Sequence, residues 1–99
     1  AGALFNDTVG GNTAVGYNAM VSNTTGTGNT ALGMGAMVSN TTSRNNTAIG
    51  AGAMTSTTGG ANTVIGSGAL STGTGGFNTV TGVNAMQNPT TADSNSAYG

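Results

Sequence analysis

The stretch Asn12-Thr-Ala-Val-Gly-Tyr-Asn-Ala-Met20 decides the fold, because it recurs. It returns at 29–37, 46–54, 62–70 and 78–86, starts again at Asn95, and leaves its tail at the beginning of the chain, residues 1–4. Self-similarity at a short fixed period marks a repeat architecture, in which one unit cannot bury its apolar face alone and stacks on its neighbours. The module asparagines stand at 12, 29, 46, 62, 78 and 95, giving spacings of 17, 17, 16, 16 and 17. The distance from Asn to the closing Met or Leu is always 8, whereas the return takes 9 residues after Met20, Met37 and Met86 and 8 after Leu4, Met54 and Leu70. Length variation is tolerated in exposed connections and not in packed strands. The module is therefore expected to be the packed part, and the return, residues 21–28 or 55–61, an outer turn.

Columns follow from this alignment. Asn12, Asn29, Asn46, Asn62 and Asn78 open each unit, and Thr13, Thr30, Thr47, Thr63, Thr79 and Ser96 come next. Then stand Ala14, Ala31, Ala48, Val64, Val80 and Ala97, followed by Val15, Leu32, Ile49, Ile65, Thr81 and Tyr98. Gly16, Gly33, Gly50, Gly66, Gly82 and Gly99 form an unbroken glycine column. β-Branched residues ending at glycine read as a short strand and a tight corner, whereas Gly, Asn and Thr are all poor in helix interiors. A second short strand is expected over 19–22, where an invariant Ala column precedes the column Met20, Met37, Met54, Leu70 and Met86. The Thr-Thr-Gly tracts beyond it read as turns.

The expected fold is all-β: a parallel β-solenoid (a β-roll or β-helix) of 16–17-residue coils, about 4.8 Å apart, with like residues stacked in ladders. Asn and Thr ladders are expected to hydrogen-bond along the stack. The array divides into a partial repeat 1–11, repeats 12–28, 29–45, 46–61, 62–77 and 78–94, and a partial repeat 95–99. Because it begins and ends inside a repeat, and arrays normally end in atypical caps, it is expected to be a fragment of a longer chain or one subunit of a longer stack. Neighbouring strand residues point to opposite faces, so Ala14 and Val15 give the first strand two apolar faces. A strand apolar on both faces is buried on both. One face can fill the coil; the other needs a partner surface, and closed association of identical chains supplies it. The larger column, Val15, Leu32, Ile49 and Ile65, is expected inside the coil.

The motif Asn-Thr-Ala-Val/Leu/Ile-Gly-x-x-Ala-Met/Leu resembles the head repeats of trimeric autotransporter adhesins, and the longer form at 28–42 also resembles repeats of phage tail-fibre proteins. That resemblance implies a trimeric, left-handed parallel β-roll in an extracellular fibre, on a virion tail or a bacterial cell surface, involved in host attachment. The period of 16–17 is longer than is usual in the adhesin heads, and Thr81 and Tyr98 interrupt the aliphatic column.

Composition narrows the chemistry. The 99 residues include 19 Gly, no Cys and no His, and the charged residues are Arg44, Asp7 and Asp93 alone. Without Cys there are no disulfides or thiolate metal sites. With one Arg and no Lys, electrostatic binding of nucleic acid or an anionic membrane has no basis, and no apolar run reaches the length of a membrane span. General acid–base chemistry lacks its usual side chains, and Asp7 and Asp93, about five coils apart, make no hydrolytic pair. No catalytic residue, cofactor or metal is assigned, and the chain is read as a non-enzyme. The glycine pairs Gly59-Gly60 and Gly75-Gly76 lack the Lys of a phosphate loop and the Asp of a calcium repeat, so corner duty explains them. The Met/Leu column reads as apolar filling rather than a soft-metal site, with Met34, off that column, placed at a corner. Asn23, Asn40, Asn6 and Asn45 each open a glycosylation-type triplet, which chance supplies in an Asn/Thr-rich chain. Tyr17 and Phe77 suit either sugar stacking or corner packing.

Function is expected to be structural and adhesive: the shaft or head segment of a homotrimeric fibre that spaces or presents recognition, with cell-surface glycans as partners. The alternative is a monomeric ice-binding solenoid whose Thr columns (Thr13 onward, and Thr24, Thr41, Thr58, Thr74 and Thr90) order water.

Overall fold

The computed structural model describes residues 2–4, 9–87 and 93–99. They form an all-β parallel solenoid with no helix, a short rod of 32 × 20 × 17 Å. Each module contributes one three-residue strand: β1 Thr13–Val15, β2 Thr30–Leu32, β3 Thr47–Ile49, β5 Thr63–Ile65, β7 Thr79–Thr81 and β8 Ser96–Tyr98. These pair in that order as a six-stranded parallel sheet. Thr13 lies opposite Thr30, Ala14 opposite Ala31 and Val15 opposite Leu32, and the same register repeats at every step. The register is pinned because a slip by one residue would send each strand's inner column outward.

The inner column is the small one. Ala31, Ala48, Val64 and Val80 are fully buried, whereas Val15 is 56% and Leu32 45% exposed. The expectation that Val15, Leu32, Ile49 and Ile65 fill the coil is thus reversed. The reason is volume. Met20, Met37, Met54 and Leu70 already occupy the interior, together with the Ala19, Ala36, Ala53 and Ala69 column. A cross-section this thin leaves room opposite them only for Ala or Val, since overfilling a close-packed interior forces side chains off their rotamers.

The corner after the strand is also not what alternation predicted. Residues 19–22 are turn, not a second strand. Ala19 N–H donates to Gly16 O at 3.1 Å and Val21 N–H to Asn18 O at 3.2 Å, making two overlapping turns, and the neighbouring coil repeats both at Gly33–Ala36 and Gly35–Val38. The third position of the first turn has positive φ in every module (Asn18, Gly35, Gly52, Gly68, Asn84), which is where a type II turn needs Gly or Asn. The third position of the second turn is the Met/Leu column itself, with φ between 45° and 53° at Leu4, Met20, Met37, Met54, Leu70 and Met86. Left-handed backbone is costly for a bulky residue. Here it aims the largest buried side chain of the coil into the core, as at Met20, Met37, Met54 and Leu70. At Gly50, φ is 134° and an added Cβ would lie 2.6 Å from the backbone of Gly66; only glycine satisfies both constraints.

The second sheet lies where turns were expected. In the return, β4 Ser56–Thr57 pairs in parallel with β6 Thr72–Gly73. The return is not simply an outer loop either, because Asn23, Asn40 and Thr57 are buried.

Candidate functional site

The described residues present an internal polar spine, an uncovered sheet face and a groove. The spine is the module asparagine column. Asn12 Oδ1 accepts the backbone N–H of Asn29 at 3.0 Å, and the same bond runs from Asn29 to Asn46, Asn46 to Asn62, Asn62 to Asn78 and Asn78 to Asn95. Each amide thus closes a backbone donor at the point where the chain turns into its strand. Buried polar groups need such partners, so this column has a structural task that accounts for it. Asn23 and Asn40 are a second, shorter spine: Asn40 Nδ2 donates to Asn23 Oδ1 at 2.7 Å, and the Ser43 hydroxyl donates to Asn40 Oδ1. Both lie inside the coil, so neither is a glycan acceptor in the folded chain. Asn45 is exposed; Asn6, Asp7 and Thr90 lie outside the described residues.

The uncovered face is the outer side of the six-stranded sheet. It carries two parallel ladders, Thr13–Thr30–Thr47–Thr63–Thr79 and Val15–Leu32–Ile49–Ile65, ending in Thr81 and Tyr98. The second position of the first turn continues it with Tyr17, Met34 and Val83, all strongly exposed. Tyr17 and Met34 therefore do not pack into a corner. No charged residue belongs to these columns. The Thr24, Thr41, Thr58 and Thr74 column is exposed as well, and Thr24 Oγ1 donates to Thr41 O at 3.1 Å.

The groove, of about 660 Å³, opens at the corner that precedes the strands. It crosses successive coils along two columns that sequence reading did not single out. One is Arg44, Gly60, Gly76 and Asp93, each two residues before a module Asn; the other is Asn45, Ala61, Phe77 and Ser94, each one before it. The backbone is held coil to coil: Ala61 N–H donates to Arg44 O at 3.0 Å, Phe77 N–H to Gly60 O at 3.1 Å and Ser94 N–H to Gly76 O at 3.0 Å. The Asp93 carboxylate accepts the Gly76 N–H at 2.7 Å. Arg44 and Asp93, the two charged side chains of the described chain, thereby stand at opposite ends of one column. The signal was present in the alignment of the repeats, but not in any local motif.

Among the described residues no three His, Cys, Asp or Glu side chains gather as a metal site, and no helix is long and apolar enough to cross a membrane. No family model matches the chain, and neither a curated protein nor a solved structure matches it.

Proposed function

We propose that the chain is a structural shaft or head segment of an extracellular homotrimeric fibre, a phage tail fibre or a bacterial surface adhesin, that spaces or presents glycan recognition at a cell surface. It acts without catalysis, cofactor, nucleic acid or membrane insertion. The observation that carries this reading is the uncovered aliphatic ladder. Val15, Leu32, Ile49 and Ile65 stand in register on the outer side of a sheet whose inner side is already packed. A surface with a fixed repeat and no charge is best covered by the same surface on another copy, and identical chains close most simply around a rotation axis. Val15, Leu32 and Ile65 are about half exposed, so covering them stabilises by roughly 1 kcal/mol each, about half the value for full burial, before association costs. The thin interior gives the single coil a strong reason to recruit it.

Solution mass tests the reading. Light scattering or native mass spectrometry of the 99-residue chain is expected to give three times the chain mass, and Leu32→Asp with Ile65→Asp to give monomer. A wild-type chain that is folded and monomeric at micromolar concentration would sink it.

One observation favours a second reading. The Thr13 ladder shares the exposed face with the aliphatic ladder, and in β7 both outward positions are Thr, Thr79 and Thr81. A monomer exposing this regular array would order water on it as an ice-binding solenoid. Thermal hysteresis in a monomeric sample supports that reading, and its absence removes it.

A further inference from the structure

Phe77 is the side chain that packing does not explain. It has φ 60° and is 71% exposed. The same left-handed position is held by Gly11, Gly28, Asn45, Ala61 and Ser94 in the other coils, residues that are small or tolerate that backbone. The Met/Leu column also bears left-handed strain, but there the side chain is buried in the core. At Phe77 strain and exposure coincide, and strain without structural return points to function.

What surrounds Phe77 is a floor stripped of side chains. A Cβ on Gly60 would lie 2.9 Å from Arg44 O, and one on Gly76 2.7 Å from Gly60 O. Close coil-to-coil approach thus excludes a side chain at both glycines and leaves the floor as bare backbone, and the ends of the groove are chemically different. Arg44 stands at one end; at the other the Asp93 carboxylate is fixed by the Gly76 N–H. Three coil steps separate them, about 14 Å along the stack.

We propose that this groove binds a short acidic oligosaccharide. The apolar face of one sugar ring stacks on Phe77. A sugar carboxylate engages the Arg44 guanidinium in the forked geometry that Arg favours. Sugar hydroxyls donate to Asp93 at the far end. A peptide strand fits less well, because strand addition needs free backbone donors and the N–H groups of Ala61, Phe77 and Ser94 already bond along the stack. Nucleic acid would need several cations where one exists. The inference rests on the reading of the chain as part of a glycan-recognising fibre, and it assigns that recognition to the corner rather than to the strand face.

The test is a titration of the 99-residue chain, followed by backbone amide NMR shifts, with trigalacturonate, a sialic acid trimer, fully methyl-esterified trigalacturonate and tetraglycine. At least one acidic trimer is expected to shift Gly60, Gly76, Phe77 and Asp93. Where that trimer is trigalacturonate, it is expected to bind about tenfold more tightly than its ester. Arg44→Gln should erase the preference for acid while leaving stacking. Phe77→Ser, which places there the residue of the Ser94 position, should weaken the acidic probe about tenfold with an unchanged fold. The proposal is overturned if neither acid shifts the groove, if ester and acid bind equally, if the shifts lie elsewhere, or if tetraglycine binds the groove as well as the acid does. Mass measured on the same sample separates the two readings: a trimer that binds no acidic sugar overturns the groove and leaves the fibre.

Discussion

The 17-residue coils at 12–45 and the 16-residue coils at 46–77 carry one module on two different returns. In the longer return, buried Asn23 and Asn40 form a side-chain rung. In the shorter one Thr57 takes the buried position, its hydroxyl donating to Leu70 O at 2.7 Å, and two residues per coil join a second small sheet. The module asparagines also differ along the stack. Asn12 Nδ2 and Asn29 Nδ2 donate to return carbonyls of their own coils, Gly26 O at 2.7 Å and Ser43 O at 2.8 Å. Asn62 Nδ2 keeps such a bond, to Gly75 O at 3.2 Å, and adds one to the Oδ1 of the preceding module Asn at 3.1 Å; Asn78 Nδ2 likewise donates to Asn62 Oδ1 at 3.0 Å. From Asn62 onward the amide therefore gains a partner along the stack, at Asn62 in addition to the one across the coil. The strand register is untouched, because the Oδ1-to-backbone bond persists in both coil types. A solenoid absorbs a length change where backbone partners are exchangeable, and not where glycine or core volume fixes the path.

The largest effect should therefore come from a position common to both coil types. Gly50→Ala adds a Cβ 2.6 Å from Gly66 backbone at φ 134°, a clash that no flexible side chain can relieve. We expect a loss of at least about 3 kcal/mol, which in a marginally stable domain amounts to loss of the folded transition in urea. Gly33→Ala should behave alike. A mild effect at either would mean that the corner relaxes and that the glycine column is not what fixes the path.

Next come the asparagines, where the two coil types should differ. Asn29→Ala strands the Asn46 N–H and the Ser43 carbonyl. Asn62→Ala strands the Asn78 N–H and removes amide contacts to Asn46, Gly59 and Gly75. With roughly 1–3 kcal/mol for each buried group left unsatisfied, both variants are destabilised and Asn62→Ala more so. Equal losses in urea melts would show that the additional amide contacts of Asn62 have no energetic content.

The Met column separates volume from backbone. Met37→Leu reproduces the residue found at Leu70, keeps φ accessible and conserves volume, so a change below about 1.5 kcal/mol is expected. Met37→Ile has similar bulk, but its β-branch opposes the φ of 52° that Met37 adopts. It should cost at least about 1 kcal/mol beyond the Leu variant. Equal midpoints for the two would show that packing alone holds this turn.

These positions also mark what the sequence could tell. The period, the register and the asparagine and glycine ladders are legible because each repeat samples the same column anew. The direction of Val15 is not, since alternation says only that it opposes Ala14; the core volume contributed by Met20 from across the coil decides which goes in. The turn at 19–22 hid because Met is a poor left-handed residue. The clue lay two residues earlier, in a column confined to Asn and Gly at Asn18, Gly35, Gly52, Gly68 and Asn84. The strands at Ser56–Thr57 and Thr72–Gly73 are two residues each, too short for any pattern. The groove escaped because Arg44 and Asp93 are 49 residues apart in sequence and become one column only when the coils are stacked in register.

The smallest effect should appear at that Asn/Gly column, which does not follow coil length: Asn18 and Asn84 stand in 17-residue coils, but so does Gly35. Among the described residues, Asn18 Oδ1 is the buried side-chain polar atom without a hydrogen-bond partner, whereas Asn84 is exposed. Both have positive φ, 59° and 55°, which glycine accepts without strain. Asn84→Gly then acts only through the unfolded chain, whose extra freedom costs about 0.5–1 kcal/mol. Asn18→Gly carries the same cost but also removes a stranded acceptor, worth about 1–3 kcal/mol. The two variants should differ in sign, Asn18→Gly shifting the urea midpoint slightly upward and Asn84→Gly slightly downward. If both move down together, Asn18 Oδ1 is satisfied in solution by water, and the column is governed by φ alone.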